Sequence, residues 1–114
     1  MTASKISSIK KQLRSYASKD RAKKSQSFFK TGPGEYGEGD IFIGVTAPDQ
    51  RAVAKKYRTL SLSDIESLLR SKIHEHRLVA VFILVDQFEQ NKKDPNKQKE
   101  IVDFYISHLD CVNN

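Results

Sequence analysis

Residues 28–57, FFKTGPGEYGEGDIFIGVTAPDQRAVAKKY, depart most from a helical pattern. This stretch contains all five glycines and two of the three prolines, Pro33 and Pro48. Glycine permits positive φ and proline fixes φ, so the first half of the stretch predicts a loop. The same half is rich in large apolar side chains, among them Phe42 and Ile43, which favour burial. We therefore expect a loop that packs onto the core through Phe42 and Ile43.

Helical patterns precede this loop. Apolar residues recur at helical spacing over residues 2–17, which predicts an amphipathic helix. Asp20 is the expected cap of a second, shorter helix that ends near Phe29. We expect Ala22, Phe28 and Phe29 to face inward from this second helix.

Capping residues also mark the helices that follow the loop. Thr46 and Pro48 predict the start of a helix over residues 47–57. Two overlapping capping boxes, at Ser61 and Ser63, predict a fourth helix. Its apolar stripe comprises Ile65, Leu68 and Leu69.

The apolar run at residues 78–85 fits either a buried strand or a helix by periodicity. Polar, helix-favouring flanks extend it over residues 74–91, which is longer than an ordinary strand and predicts a central helix that is buried on all sides. Asp94, followed by proline, predicts the cap of a sixth helix that runs to Asp110. We expect this helix to face inward through Ile101, Val102, Tyr105, Ile106 and Leu109.

The predicted fold is therefore all-α, in one domain over residues 1–114. The last three helices are consecutive and joined by short loops, which is typical of antiparallel helix pairs. The residue pattern shows no exact repeat, so it leaves a helix bundle and an α-solenoid both open.

The net charge of +6 is unevenly distributed along the chain. The first thirty residues hold nine basic side chains and one acidic one, whereas the remainder holds eleven basic and thirteen acidic side chains. This asymmetry favours a polyanionic partner, above all nucleic acid. The alternative is a solvated basic face that serves only solubility.

The longest apolar run is too short to cross a membrane, and residues 1–30 contain no apolar segment typical of a secretory signal. Cys111 is the single cysteine and has no partner for an internal disulfide. We therefore expect a reducing, cytoplasmic setting. A small buried apolar side chain is the preferred interpretation of Cys111, with an activated nucleophile as the alternative.

The glycine-rich stretch at residues 28–45 resembles that of the AlkD-like DNA alkylation repair enzymes. The resemblance continues through the AKKY run, which includes Lys55, Lys56 and Tyr57, and through the HEHRLVA segment at residues 74–80. It extends through IVDFY at 101–105 to VNN at 112–114, and so covers most of the chain.

This resemblance implies a HEAT-like α-solenoid built from antiparallel helix pairs, with duplex DNA held in its concave face. It also implies excision of cationic N3- and N7-alkylated purines, which leaves an abasic site. In such enzymes aromatic side chains and an aspartate face the lesion. Phe28 falls where family members place a lesion-facing tyrosine, and here the hydroxyl is absent.

The resemblance has a gap at the catalytic carboxylate. Family members continue from the VNN motif into a tryptophan and an aspartate-containing run, whereas this chain contains no tryptophan. We therefore expect residues 1–114 to be an N-terminal portion of a glycosylase that contains no catalytic residue and is inactive alone. We also expect self-association through an exposed apolar face of the C-terminal helix.

Basic side chains on both sides of the loop are the predicted contacts to the DNA backbone, because lysine and arginine attract phosphate without regard to sequence. They are Lys23, Lys24, Lys30, Arg51, Lys55 and Lys56, with Arg58 beside them. A solvated face is again the alternative.

Other motifs predict no further chemistry. His74 and His76 stand two residues apart and point to different helix faces, so with His108 they do not form a metal set, and surface or capping roles are expected. The glycines lack the lysine of a phosphate-binding loop, and we expect no cofactor. Two alternative functions remain open: a non-catalytic helical-repeat scaffold that binds nucleic acid or protein, and a nucleic-acid binder unrelated to enzymes.

Overall fold

The computed structural model describes residues 2–29, 32–34 and 39–112, with side chains from Lys5 onward. The described part contains six α-helices and a final 3-10 turn. They are α1 (Thr2–Ser15), α2 (Lys19–Phe28), α3 (Ala47–Lys56), α4 (Leu62–Leu69), α5 (His74–Gln90), α6 (Pro95–Ser107) and the 3-10 turn Leu109–Cys111. No strand occurs in the described ranges, where one isolated bridge joins Ile41 and Ile73. The all-α prediction is confirmed, and residues 78–85 are helical.

Side-chain caps fix four of the helix starts. Thr46, Ser61 and Asp94 each accept the backbone N–H three residues further on, as their positions predict. The predicted cap of α2 is wrong, because Ser18 and not Asp20 caps that helix. Asp20 lies within the first turn, where its negative charge stabilises the helix dipole.

The core lies where α1, α3 and α4 pack against α5, with α6 on a further side of α5. The predicted stripe of α4 is fully buried, and α5 contributes the largest set of core residues. The apolar core comprises Ile9, Leu13, Phe42, Val45, Val53, Ala54, Leu60, Ile65, Leu68, Leu69, Val79, Ala80, Ile83, Leu84 and Ile101. Turns of four residues join α4 to α5 and α5 to α6. A HEAT-like solenoid stays a prediction.

Two of the predicted burial patterns are wrong. Helix α2 buries no residue, so the predicted inward placement of Ala22, Phe28 and Phe29 does not hold. Helix α5 is not buried on all sides, since Val85 and Phe88 are exposed. Its neighbours cover one broad stripe of α5 and leave its other face to solvent.

Helix α6 also buries less than predicted. Ile101 is buried and Tyr105 packs against the core, but Val102, Ile106 and Leu109 are exposed. The physical reason is that α5 is the main helical neighbour of α6, and one neighbour covers only a narrow stripe. The exposed residues form an apolar face, so the predicted self-association stays a prediction.

The glycine-rich loop packs as predicted over its described part. Phe42 and Val45 are buried, and Ile43 is half-buried against the core. Residues 35–38, which include Glu35, Tyr36 and Glu38, lie outside the described residues. In the described part of the chain, no helix is both long and apolar enough to cross a membrane.

Candidate nucleic-acid interface

A buried carboxylate attaches the loop to the start of α5. Glu75 is 2% exposed and accepts three consecutive backbone N–H groups. The N···O distances are 3.1 Å from Ile43, 2.9 Å from Gly44 and 3.2 Å from Val45. Glu75 also lies in the first turn of α5, where the helix dipole stabilises a negative charge. The loop backbone is therefore fixed against α5 by a charged acceptor.

Gly44 joins the same loop to the start of α2. Its φ is +80°, a left-handed conformation that favours glycine. The Ser18 N–H donates to the Gly44 carbonyl oxygen at 3.1 Å, and Arg21 Nε donates to the same oxygen at 2.9 Å. Arg21 Nη2 donates to the Tyr16 carbonyl oxygen at 2.8 Å, so the guanidinium ties the turn before α2 to the loop.

A second buried carboxylate, Asp40, contacts two side chains of α5, those of Arg77 and His74. Asp40 Oδ1 accepts from Arg77 Nη2 at 2.6 Å, and Asp40 Oδ2 lies 2.8 Å from His74 Nδ1. Arg77 Nη1 also donates to the Ser71 carbonyl oxygen at 3.0 Å. These contacts hold the His74 ring in place at the edge of the loop.

Four rings form a cluster at this histidine. Phe42 stacks on His74 with ring centroids 4.4 Å apart, Phe29 stacks on Phe42 at 5.1 Å, and Phe29 also contacts His74 directly at 5.5 Å. Phe28 meets Phe29 edge-to-face at 5.0 Å. Phe28 is 77% exposed and therefore stands at the solvent-exposed edge of this ring cluster.

An open cleft of about 360 Å³, called here the first cleft, lies beside this ring cluster. Residues from α2, the loop and the starts of α3 and α5 form its walls, and Arg21 and Lys24 bring positive charge to it. The lining that matters for recognition comprises Arg21, Lys24, Phe29, Phe42, Gln50, His74 and Leu78.

A second cleft, of about 350 Å³, lies one to three helical turns further along α3 and α5. Arg51, Lys55 and Arg58 line it from α3 and the turn that follows, and Phe82, Val85 and Asp86 line it from α5. The Arg51 guanidinium lies 5.1 Å from the centre of the Phe82 ring, in a cation–π contact. The spacing of these residues continues that of Ala47 and Leu78 in the first cleft, so both clefts lie along the same side of α3 and α5, a surface called here the α3–α5 groove.

Comparison with models of protein families matches residues 9–114 to the family described as DNA alkylation repair enzyme. The chain belongs to this family. The match supports a role in the repair of alkylated DNA. No curated protein and no solved structure matches the chain significantly.

Membership of the DNA alkylation repair family makes the positions of the predicted DNA contacts relevant. Lys24 lines the first cleft, and Arg51 and Lys55 line the second. Lys23 and Lys56 are exposed but line neither cleft. Lys30 lies outside the described residues. Phe28 stands at the exposed edge of the ring cluster.

The sequence predicted surface or capping roles for the three histidines, and this holds for His108, which is the C-cap residue of α6. It is wrong for His76, and His74 is half-buried at the first residue of α5. His76 is buried, with Nδ1 2.8 Å from Ser71 Oγ. Burial lowers the pKa of His76 to about 4, helped by the nearby charges of Lys10, Arg14 and Arg77. Among the described residues, no group of three His, Cys, Asp or Glu side chains could hold a metal ion.

His108 links α6 to α4. Its Nε2 lies 2.8 Å from Glu66 Oε2 and its Nδ1 lies 2.8 Å from the Phe104 carbonyl oxygen. The hydrogen bond to Glu66 and then that to Phe104 raise the pKa of His108. The bond to His108 and then that to Arg70 lower the pKa of the Glu66 carboxyl. Cys111 is half-buried nearby and packs against the core, as its preferred interpretation predicted.

Replacing His108 with glutamine is expected to destabilise the fold more at pH 6 than at pH 9. A raised folded-state pKa contributes stability below the ordinary value of 6.5, and that contribution is lost as pH rises through the raised value. Urea denaturation of the parent and the variant at both pH values measures the difference. An equal loss at the two pH values would contradict the assignment.

His76→Gln is the matched control, with the opposite trend. The lowered pKa of His76 means that the parent loses stability as pH falls from 6.5 toward about 4, because the unfolded chain takes up the proton first. The cost of His76→Gln should therefore shrink over this acidic range, and a cost that grows instead would contradict the buried, neutral state of His76.

The sequence patterns do not mark the two buried carboxylates as organising residues. Asp40 appears only within the glycine-rich stretch, and Glu75 only within the HEHRLVA segment. A relevant signal was present: His74, Glu75 and Arg77 begin a helix next to a loop that must be buried. Charged residues at such a position require partners, and the loop backbone and Asp40 are within reach.

Proposed function

We propose that this chain acts in DNA alkylation repair as a duplex-binding unit of a glycosylase that excises cationic N3- and N7-alkylated purines. The observation that carries the proposal is the α3–α5 groove, where positively charged side chains and aromatic rings line the same surface. Family membership supports the repair role. The AlkD-like resemblance supports the reaction and the lesion class.

The groove, together with the Phe28 ring that contacts Phe29 at its edge, offers the two kinds of contact that such a protein needs. Arg51, Lys55 and Arg58 would neutralise backbone phosphates and release counterions, which gives affinity without sequence preference. The exposed Phe28 ring would contact the lesion nucleotide, and the π face of an aromatic ring attracts a cationic base. Together these contacts favour alkylated over unmodified duplex.

We propose further that the helices form part of a HEAT-like α-solenoid. Helices α4, α5 and α6 are consecutive, each packs on the next, and four-residue turns join them. This is the connectivity of stacked antiparallel helix pairs. In such an arrangement the uncovered face of α5, with Phe82 and Val85, belongs to the concave DNA-binding side.

The chain on its own is proposed to be inactive in base excision. A cationic purine is a good leaving group, so the reaction needs a carboxylate that stabilises the positive charge developing on the sugar. Asp40 and Glu75 are buried and bound to side chains and backbone of the fold. Asp86 is the carboxylate that lines the second cleft, beside Arg51 and Lys55. Asp86 thus lies among the side chains proposed to bind phosphate and does not line the first cleft, where Phe29, Phe42 and His74 lie.

Base release from duplex DNA containing N7-methylguanine tests this proposal. We expect the 114-residue chain to release no base above the spontaneous rate, while an alkylpurine glycosylase of known activity, run in parallel, does so. Enzymatic release would contradict the proposed inactivity, and its loss in Asp86→Asn would then place the chemistry at Asp86. Binding to methylated and unmodified duplex is measured on the same samples, with about two- to fivefold tighter binding expected for the methylated one.

A non-catalytic helical-repeat scaffold is the second candidate. The exposed apolar face of α6, formed by Val102, Ile106 and Leu109, favours it because such a face suits a protein partner or a second copy of the chain. This function predicts equal affinity for methylated and unmodified duplex. The binding comparison therefore distinguishes the two candidates.

A further inference from the structure

The first cleft has the composition of a stacking site. Its walls include the Phe29 and Phe42 rings and the His74 ring, and Leu78 adds an apolar surface. The rings are held in position, because Phe29, Phe42 and His74 contact one another and Asp40 binds His74. The cleft volume of about 360 Å³ lies within the range of small-ligand sites.

Gln50 provides an unused hydrogen-bond acceptor at this cleft. The side chain lines the cleft and is 4% exposed. Its Nε2 donates to the Val45 carbonyl oxygen at 2.8 Å, which fixes the amide. Its Oε1 is buried and accepts no hydrogen bond from the described part of the chain. A buried acceptor without a donor costs about 1–3 kcal/mol, and an N–H group on a ligand would relieve that cost.

Positive charge lies at the same cleft. Arg21 is held by the carbonyl oxygens of Gly44 and Tyr16, and Lys24 is exposed one turn further along α2. An aromatic surface beside fixed and mobile cations is the combination by which proteins bind single-stranded nucleic acid, since the bases stack and the cations hold the backbone.

The wall formed by α2 is weakly attached, which suits a site that must admit a base. No residue of α2 is buried, so hydrogen bonds rather than apolar packing hold the helix. Gln26 makes two of them, with Nε2 donating to the Asp40 carbonyl oxygen at 3.2 Å and Oε1 accepting from the Phe42 N–H at 2.9 Å. The contacts of Gly44 fix the first turn of α2, and beyond that turn a helix with few buried apolar contacts opens at low free-energy cost.

We propose that the first cleft binds one unpaired nucleotide of the DNA that occupies the groove. The base would stack against Phe29 at the edge of its ring cluster with Phe42 and His74. Its N–H donor would reach Gln50 Oε1, and Lys24 would contact the adjacent phosphate. This inference rests on the proposed duplex-binding function and adds to it a site for a base that has left the helical stack.

Three duplexes that differ at one position test the inference: fully paired, with a single bulged 2-aminopurine, and with a single bulged abasic nucleotide. The two bulges share the break in the stack, and only one presents a base. We expect about fivefold or greater preference for the 2-aminopurine bulge over the abasic bulge, from the stacking contribution of one base. Its fluorescence should fall on binding as the base stacks on the rings.

Two matched variants locate the effect. Phe29 and Phe88 are 38% and 39% exposed, and Phe29 lines the cleft whereas Phe88 does not. Phe29→Ala should abolish both the preference for the 2-aminopurine bulge over the abasic bulge and the fluorescence change. Phe88→Ala should change neither. The comparison of the three duplexes with the parent protein stands even if one variant fails to fold.

The outcomes separate this inference from the proposed function. Binding to all three duplexes with equal affinity and unchanged fluorescence would overturn the nucleotide site and leave duplex binding intact. A preference that survives Phe29→Ala would also overturn the site. Failure to bind any of the three duplexes would overturn both the duplex-binding function and the site.

Discussion

Replacing Gly44 with alanine is expected to cost about 3 kcal/mol of unfolding free energy or more, enough to unfold much of a marginally stable domain. Two effects add. The φ of +80° disfavours any residue with a side chain. The new methyl group would also overlap the Ser18 carbonyl oxygen and lie 2.7 Å from the Ala22 backbone nitrogen. Both are backbone atoms at the start of α2, so the helix would have to move.

Gly39→Ala is the matched control for this prediction. Gly39 has a similar φ of +84°, but an added methyl group would meet nothing within 4 Å. It should therefore cost only the conformational strain, about 1 kcal/mol. Urea denaturation of both variants measures the difference. Equal costs for Gly39→Ala and Gly44→Ala would show that the close approach of the loop to α2 is not required for stability.

Replacing Glu75 with alanine is expected to have a comparably large effect, about 3 kcal/mol or more. The substitution leaves the N–H groups of Ile43, Gly44 and Val45 without their acceptor in a site where Glu75 is 2% exposed. Each buried unsatisfied donor costs about 1–3 kcal/mol. Glu75→Gln should cost less, because one amide oxygen can still accept.

Hydrogen exchange gives this prediction a local readout. The amides of Ile43, Gly44 and Val45 should exchange faster in Glu75→Gln, whereas Glu100→Gln should change neither exchange nor stability appreciably. Glu100 pairs with Lys97 on the exposed surface of α6, where an ion pair contributes about 0–1 kcal/mol. Unchanged protection of the three loop amides in Glu75→Gln would contradict the role given to this carboxylate.

Local signals in the sequence predicted the helices well. The caps at Thr46, Ser61 and Asp94 act over three residues, so their effect can be read without knowledge of the fold. Burial was predicted less well where it depends on neighbours. Phe28 and Ile106 are apolar at suitable positions, yet α2 and α6 have too few packing partners to cover them.

In the candidate site, too, local features could be predicted from the sequence and contacts between distant residues could not. Arg51, Lys55 and Arg58 line one cleft because their spacing along the chain places them on one side of α3, which the sequence reveals. The contacts of Glu75 and Asp40 span 30 to 37 residues and depend on how the loop lies on α5. No local pattern specifies such contacts, and therefore they could not be predicted from the sequence.

Duplex affinity as a function of salt concentration tests the central claim, that the α3–α5 groove binds DNA. The variant replaces Arg51, Lys55 and Arg58 with alanine, and the control replaces Lys92, Lys93 and Lys99, three lysines outside both clefts, with the same change in charge. We predict at least about tenfold weaker binding for the groove variant at low salt. We also predict a slope of log affinity against log salt that is shallower by about 0.9 per lost phosphate contact. The control should keep the parental slope; equal loss of affinity and slope in both variants would contradict binding in the groove.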